Sequence, residues 1–165
     1  MIQVAVFMGS ASDEEIMRPC ADILDSLEIN HRFTITSAHR TPERTERLIK
    51  ELEADGCEVF ICGAGMAAHL AGAVAARTIK PVIGVPLAAS PLGGMDALLA
   101  TVQMPQGFPV ATMALDRSGA RNAAWLAAQI LALKEPAIAE RLRDVREGFK
   151  EGVDEAAFNL ESGSI

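Results

Sequence analysis

Two histidines, an arginine, an aspartate and three serines fall in three short polar segments, each placed directly after a run of apolar β-formers. The segments read Met8-Gly9-Ser10-Ala11-Ser12-Asp13, Ser37-Ala38-His39-Arg40-Thr41-Pro42 and Gly63-Ala64-Gly65-Met66-Ala67-Ala68-His69-Leu70. An imidazole takes up and releases protons near neutral pH, so His39 and His69 are the candidates for proton transfer. The guanidinium of Arg40 is a planar fork that fits a phosphate. Ser10, Ser12 and Ser37 offer hydroxyls, and the helix amides that follow them point at whatever sits above. Asp13 would repel a phosphate, so a ribose hydroxyl is its more natural ligand. Gly63 and Gly65 let backbone approach a ligand closely, and Met66, Ala67 and Ala68 supply a small apolar wall beside His69. Together the set suits an anionic ligand with a mobile proton. Each segment also has a plain structural reading: an N-capped helix start, a surface turn, tight strand-to-helix packing. Neither Gly-x-x-x-x-Gly-Lys nor Gly-x-Gly-x-x-Gly occurs, so the first segment is not a P-loop or a dinucleotide fingerprint. His31 precedes its apolar run and is read as uninvolved.

The segments need strands to converge. Ile2–Met8 is a continuous apolar run, as in a strand buried on both faces. Arg32–Thr36, Glu58–Cys62, Pro81–Pro86 and Pro109–Leu115 are further strands. Helices alternate with them. The first starts near Ser12 or Asp13, where Ser12 and Glu15 have capping-box spacing. The second has Thr41 as N-cap, Pro42 at its first position and Gly56 at its end. Small-residue helix Met66–Arg77, helix Asp96–Val102 and the Ala- and Leu-rich helix Arg121–Leu133 complete the alternation. Such a pattern gives a parallel sheet covered on both faces, in three layers. Right-handed crossovers favour a doubly wound, flavodoxin-like α/β fold of strand order 2-1-3-4-5. The segments leaving the carboxyl ends of the strands then share one rim. The loop 88–94 after the fourth strand is a candidate lid. The segment Gln103–Gly107 is a candidate subunit contact.

An amphipathic helix over Glu135–Phe158, with Ile138, Leu142, Val145, Phe149 and Val153 as its stripe, follows an already complete sheet. It is expected to pack across a neighbouring subunit rather than on its own sheet. The chain reads as one domain, 1–165, with a core of 1–134 and a helical extension of 135–165.

The bulk composition narrows the partners. A formal charge of −7 argues against a general nucleic-acid binder, which needs a basic face. It leaves room for a small phosphorylated ligand. The 28 alanines let helices approach one another closely. Cys20, Cys57 and Cys62 are odd in number, lack metal-ligand spacing and suit reduced thiols in the cytoplasm. No basic n-region opens the chain, so no signal peptide is expected. No apolar run approaches the roughly 18 residues of a membrane span.

The three segments, together with Pro81-Val-Ile-Gly-Val-Pro86 and Val102-Gln-Met-Pro-Gln-Gly-Phe-Pro-Val-Ala-Thr112, resemble the PurE family in its bacterial mutase branch. The likeness runs in order over about residues 2–134. It implies a flavodoxin-like homo-octamer in de novo purine biosynthesis that uses neither metal nor organic cofactor. It implies conversion of 5-(carboxyamino)imidazole ribonucleotide to 4-carboxy-5-aminoimidazole ribonucleotide, an isomerisation without redox change. Carried onto this chain, it makes His39 the proton-transfer residue and Ser10, Asp13 and Arg40 the ribonucleotide-binding residues. Ser12, Ser37, Gly65, Ala68 and His69 would line the same pocket. Arg40 and His69 favour the mutase over the branch that carboxylates aminoimidazole ribonucleotide with free carbon dioxide. The lid residues Ala88, Ala89 and Pro91 differ from some relatives. Two other readings stay open on the residues alone: that carboxylase, or one acting on a related nucleotide, and a non-catalytic nucleotide sensor on the same fold.

Overall fold

The computed structural model describes residues 1–163. Five strands form one all-parallel sheet: β1 (Val4–Met8), β2 (His31–Ile35), β3 (Val59–Gly65), β4 (Val82–Leu87) and β5 (Ala111–Thr112). The order is β2-β1-β3-β4-β5, as the alternation of elements predicts. Side chains alternate between faces along each strand. Val4, Val6 and Met8 of β1 and Ile61 of β3 turn to one face, where they meet α1 (Glu14–Ser26) and α5 (Asp116–Ala132). Ala5, Phe7, Phe60 and Cys62 turn to the other, where they meet α2 (Pro42–Ala54) and α3 (Leu70–Ala75). Ala120, Ala123, Ala124, Ala127 and Ala128 of α5 are fully buried. Their small side chains let α5 sit close to Met17, Cys20 and Leu24 of α1. The remaining helices are α4 (Met95–Val102) and α6 (Pro136–Glu161). Among the described residues, no helix is long and apolar enough to cross a membrane.

Of the boundaries that differ from the sequence expectation, four have a clear local reason. First, β3 runs on through Gly65, pairing Gly63, Ala64 and Gly65 with Val85, Pro86 and Leu87. The glycines belong to the strand, and their absent side chains make room for packing. A Cβ on Gly63 would lie 2.6 Å from Met17 Sδ, and one on Gly65 would lie 2.7 Å from Ala89 Cβ. Second, α3 begins at Leu70 and not at Met66, because Met66 takes a left-handed φ of 55°. Third, β5 pairs over only Ala111 and Thr112. Pro109 has no N–H to donate and sits where an edge strand can tolerate that. Fourth, α5 begins at Asp116, before the expected Arg121.

The C-terminal helix departs further. Ile138 is buried, and Leu142 and Val145 pack partly against the α1–α5 side of the core. The first half of α6 therefore folds back on its own chain, against the expectation of packing solely on a neighbour. Phe149 meets Trp125 edge-on at 6.0 Å but stays largely exposed, as do Val153, Phe158 and Leu160.

Candidate functional site

The first segment is built by a capping box. Ser10 caps a single turn of 3-10 helix, Ala11–Asp13, and its Oγ accepts from the Ser12 amide at 3.3 Å. Asp13 answers: its Oδ2 accepts from the Ser10 amide at 3.0 Å. The box thus lies two residues before the Ser12–Glu15 pair that the spacing suggests. Ser12 Oγ sits 2.9 Å from Ser10 Oγ and 3.3 Å from Asp13 Oδ1. Asp13 is only 7% exposed. Burial raises its carboxyl above the ordinary value, while the Ser12 hydroxyl, the Ser10 amide and the Arg40 charge pull the other way.

In the second segment, the Thr36 amide donates to the Met8 carbonyl at 2.9 Å, which ties the end of β2 to β1. The chain then folds into a tight turn. Ser37 N–H donates to Thr41 Oγ1 at 3.0 Å, Thr41 N–H to the Ser37 carbonyl at 2.8 Å, and Arg40 N–H to Ser37 Oγ at 3.1 Å. Thr41 is at the N-cap of α2, and Pro42 fills the first helical position as predicted, but the Thr41 hydroxyl serves the turn and makes no cap bond. The turn pushes His39 and Arg40 outward, and both are exposed.

The third segment turns sharply at Met66. The Ala68 amide donates to the Met66 carbonyl at 2.9 Å, which returns the chain to the N-cap position held by His69. A non-glycine residue with positive φ is uncommon and tends to mark functional turns.

The three segments meet. Arg40 Nη2 donates to the Gly9 carbonyl at 2.9 Å. Gly9 N–H donates to the Gly63 carbonyl at 3.2 Å. His69 Nδ1 and His39 Nε2 share a hydrogen bond of 3.2 Å, with ring centroids 5.1 Å apart. They enclose a cleft of about 610 Å³ at the carboxyl ends of the strands, lined by Ser10, Ser12, Asp13, Ser37, His39, Arg40, Gly65 and His69. Ala68 alone of the expected residues falls outside it, being buried behind the wall. Of the expected lid, only Ala89 reaches the lining. The root of that loop is pinned, since Ala88 N–H donates to Asp116 Oδ1 at 2.8 Å.

A larger recess, about 870 Å³, lies at the opposite rim beside Glu53, Arg77, Lys80 and Phe108. It holds no histidine, Thr78 is bonded to Glu53, and Arg77 donates to the Ala73 carbonyl at 2.8 Å. It gathers none of the sequence-predicted site residues, all but one of which line the smaller cleft. His31 is also at that opposite rim, with Nδ1 3.2 Å from the Ile29 carbonyl. Among the described residues, no three His, Cys, Asp or Glu side chains cluster as a metal ion requires.

The family model described as AIR carboxylase matches residues 3–152. The chain belongs to this family. Members similar to it include proteins named N5-carboxyaminoimidazole ribonucleotide mutase. The one from Pyrococcus horikoshii is 49% identical over 158 residues, covering 96% of this chain and 88% of that protein. The one from Escherichia coli is 46% identical over 144 residues, covering 87% and 85% respectively. Among solved structures, Treponema denticola PurE superposes with a TM-score of 0.88 at 29% identity, covering 97% of this chain and 99% of that one. Within this AIR carboxylase member, two contributors to the cleft are backbone groups that residue types do not advertise. The Gly9 carbonyl anchors Arg40, and the Met66 peptide sets the return toward His69. Two bonded hydroxyls, Thr36 and Thr45, lie 2.8 Å apart beneath the second turn and are nearly fully buried. Thr36 follows a strand of mixed polar and apolar residues, so its type alone does not mark this pair in the sequence.

Proposed function

We propose that the protein is a cytoplasmic isomerase of purine biosynthesis, converting N5-carboxyaminoimidazole ribonucleotide to 4-carboxy-5-aminoimidazole ribonucleotide as a homo-octamer of one-domain subunits. The convergence of His39, His69 and Arg40 in one cleft carries this reading. The relatives that bear the mutase name match almost the whole chain, which agrees with it.

Arg40 binds the phosphate, and Ser10, Ser12 and Ser37 complete its surroundings with hydroxyls. Asp13 holds the ribose-side backbone in place. The substrate's carboxylate leaves its exocyclic nitrogen as carbon dioxide, and that nitrogen gains a proton. The ring carbon then attacks the trapped carbon dioxide and loses its own proton. His39 donates the first proton and accepts the second, so it ends the cycle unchanged. A positioned acid–base of this kind contributes about 10²–10⁴-fold in rate. Carbon dioxide has no charge to hold, so Ala64, Met66, Ala67 and Ala89 retain it by excluding water.

The family's description, AIR carboxylase, supports a second reading in which free carbon dioxide is the co-substrate. An absorbance assay separates the two. The mutase reading expects rapid product formation from the N-carboxylated nucleotide and slow formation from aminoimidazole ribonucleotide with bicarbonate. The reverse preference would establish the carboxylase. Inactivity on both, with nucleotide still bound, would leave the sensor. His39→Asn should bind nucleotide and lose about 10²–10⁴-fold in turnover, and turnover near the parent's would remove His39 from the chemistry.

A further inference from the structure

We propose that Asp116 is a positioning residue for the loop 88–94: its carboxylate fixes the root of that loop and so seats Ala89 as the wall that closes the cleft over the freed carbon dioxide. The inference deepens the reading above and rests on it for the role of carbon dioxide.

Asp116 Oδ1 accepts from the Ala88 amide at 2.8 Å. An ionised acceptor makes a stronger bond to a backbone N–H than a neutral one does. Ala88 is the first residue past β4, the point at which the chain leaves the sheet. The far end of the loop returns to the same place. Gly94 takes a φ of 85°, and a Cβ on it would lie 2.7 Å from Leu115 Cδ2 and 3.1 Å from Ala88 Cβ. Leu115 and Asp116 therefore hold both ends.

Between those ends the loop keeps its own shape. Leu92 N–H donates to Ser90 Oγ at 3.1 Å, and Gly93 N–H to the Ser90 carbonyl at 3.2 Å. The position of the root thus sets the position of the whole. Ala89 sits directly after the root and lines the cleft, packed so closely on Gly65 that a Cβ added there would come within 2.7 Å of it.

The backbone of Asp116 agrees with this role. Its φ is 55°, in the left-handed region. Glycine adopts that conformation without steric cost, whereas Asp 116 bears it and directs its carboxylate to a residue 28 positions away. The anchor itself cannot yield. Gly119, one turn on, is buried against the Ala114 carbonyl oxygen, and Arg117 is ion-paired with Glu15 in the first turn of α1. Carbon dioxide offers no charge to hold, so its retention depends on the fit of the walls. A freed root would let Ala89 lift from Gly65 and admit water.

The test uses the full-length protein and two substitutions. Asp116→Gly removes the carboxylate and relieves the backbone, so it should fold. Asp116→Asn keeps an oxygen acceptor and tolerates the left-handed region. Hydrogen-exchange mass spectrometry on overlapping peptides across 85–94 reads the root without substrate. In Asp116→Gly the Ala88 amide should exchange about 10-fold faster or more, the scale of losing a charged hydrogen bond. Asp116→Asn should stay close to the parent. With the N-carboxylated nucleotide as substrate, Asp116→Gly should release about threefold more aminoimidazole ribonucleotide per product formed, at an unchanged nucleotide dissociation constant. Parent-like exchange in Asp116→Gly overturns the proposal. So does an Asn variant that exchanges as fast as Gly, which would assign the effect to negative charge at the start of α5. Faster exchange without added release also overturns it, since the loop would then not close the cleft. If the parent makes no product, the mutase reading and the carbon dioxide role fall together, while exchange alone still decides whether Asp116 fixes the loop.

Discussion

Arg40 donates to a neutral acceptor, the Gly9 carbonyl, at 2.9 Å. A phosphate dianion is a stronger acceptor and takes both arms of the guanidinium. Binding would exchange the weaker bond for the stronger, and would loosen the first segment from the second as it did so. Arg40→Ala should raise the nucleotide dissociation constant by about 10- to 100-fold, as expected from losing a charged hydrogen bond of roughly 1.5–3 kcal/mol. Titration calorimetry reads this directly, and an unchanged constant would place the phosphate elsewhere. Asp13 makes a prediction about pH. Burial raises its carboxyl above 3.8, so the folded chain keeps a proton that the unfolded chain has already released. Stability from this group is full below 3.8 and declines as pH rises through the raised value. Asp13→Asn keeps an acceptor for the Ser10 amide but has no proton to lose. Its melting temperature relative to the parent should therefore climb as pH rises from about 3.8, and a flat or falling difference would contradict the assignment. At this scale the sequence was informative about residue types and poor about partners. His39, Arg40, Asp13 and the serines all reached one cleft. Ser10–Asp13 and Ser12–Glu15 have the same spacing, however, and only the burial of the Asp13 carboxylate decides which pair caps.

Gly119 shows why element boundaries were harder to read. Ser118-Gly119 looks like punctuation before a helix that starts at Arg121, since glycine in a helix costs up to about 1 kcal/mol relative to alanine. The structure puts Gly119 inside the first turns of α5, buried, where a Cβ would lie 1.7 Å from the Ala114 carbonyl oxygen. Close approach outweighs propensity, because that obstacle is backbone and cannot swing aside. Gly119→Ala should therefore destabilise the protein by about 3 kcal/mol or more, against the modest gain that propensity alone forecasts. Urea unfolding distinguishes the two, and a stabilised variant would mean that α5 has room to shift. The same logic explains β3. Gly63-Ala64-Gly65 resembles a loop in composition, yet Gly63 makes room for Met17 and Gly65 for Ala89. Strand order, by contrast, was legible, because continuous apolar runs separated by helical periods admit few right-handed parallel arrangements.

At the scale of the whole molecule, α6 divides into two halves with different surroundings. Ile138, Leu142 and Val145 lie against the core. Beyond Phe149, the side chains of Val153, Phe158 and Leu160 are each about two-thirds exposed. Periodicity could show that one stripe runs the length of the helix, but not that its two ends face different partners. Exposed apolar residues in such a row suit a contact between copies, which is the role they take in the proposed octamer. Removing the helix from its first residue would also strip Ile138 from the core and confuse folding with assembly. A chain ending at Glu147 keeps Ile138, Leu142 and Val145 and loses Phe149, Val153, Phe158 and Leu160. It should retain cooperative thermal unfolding as a smaller species in light scattering. If the shortened chain still forms the parent's assembly, the outer half of α6 is not what joins the subunits.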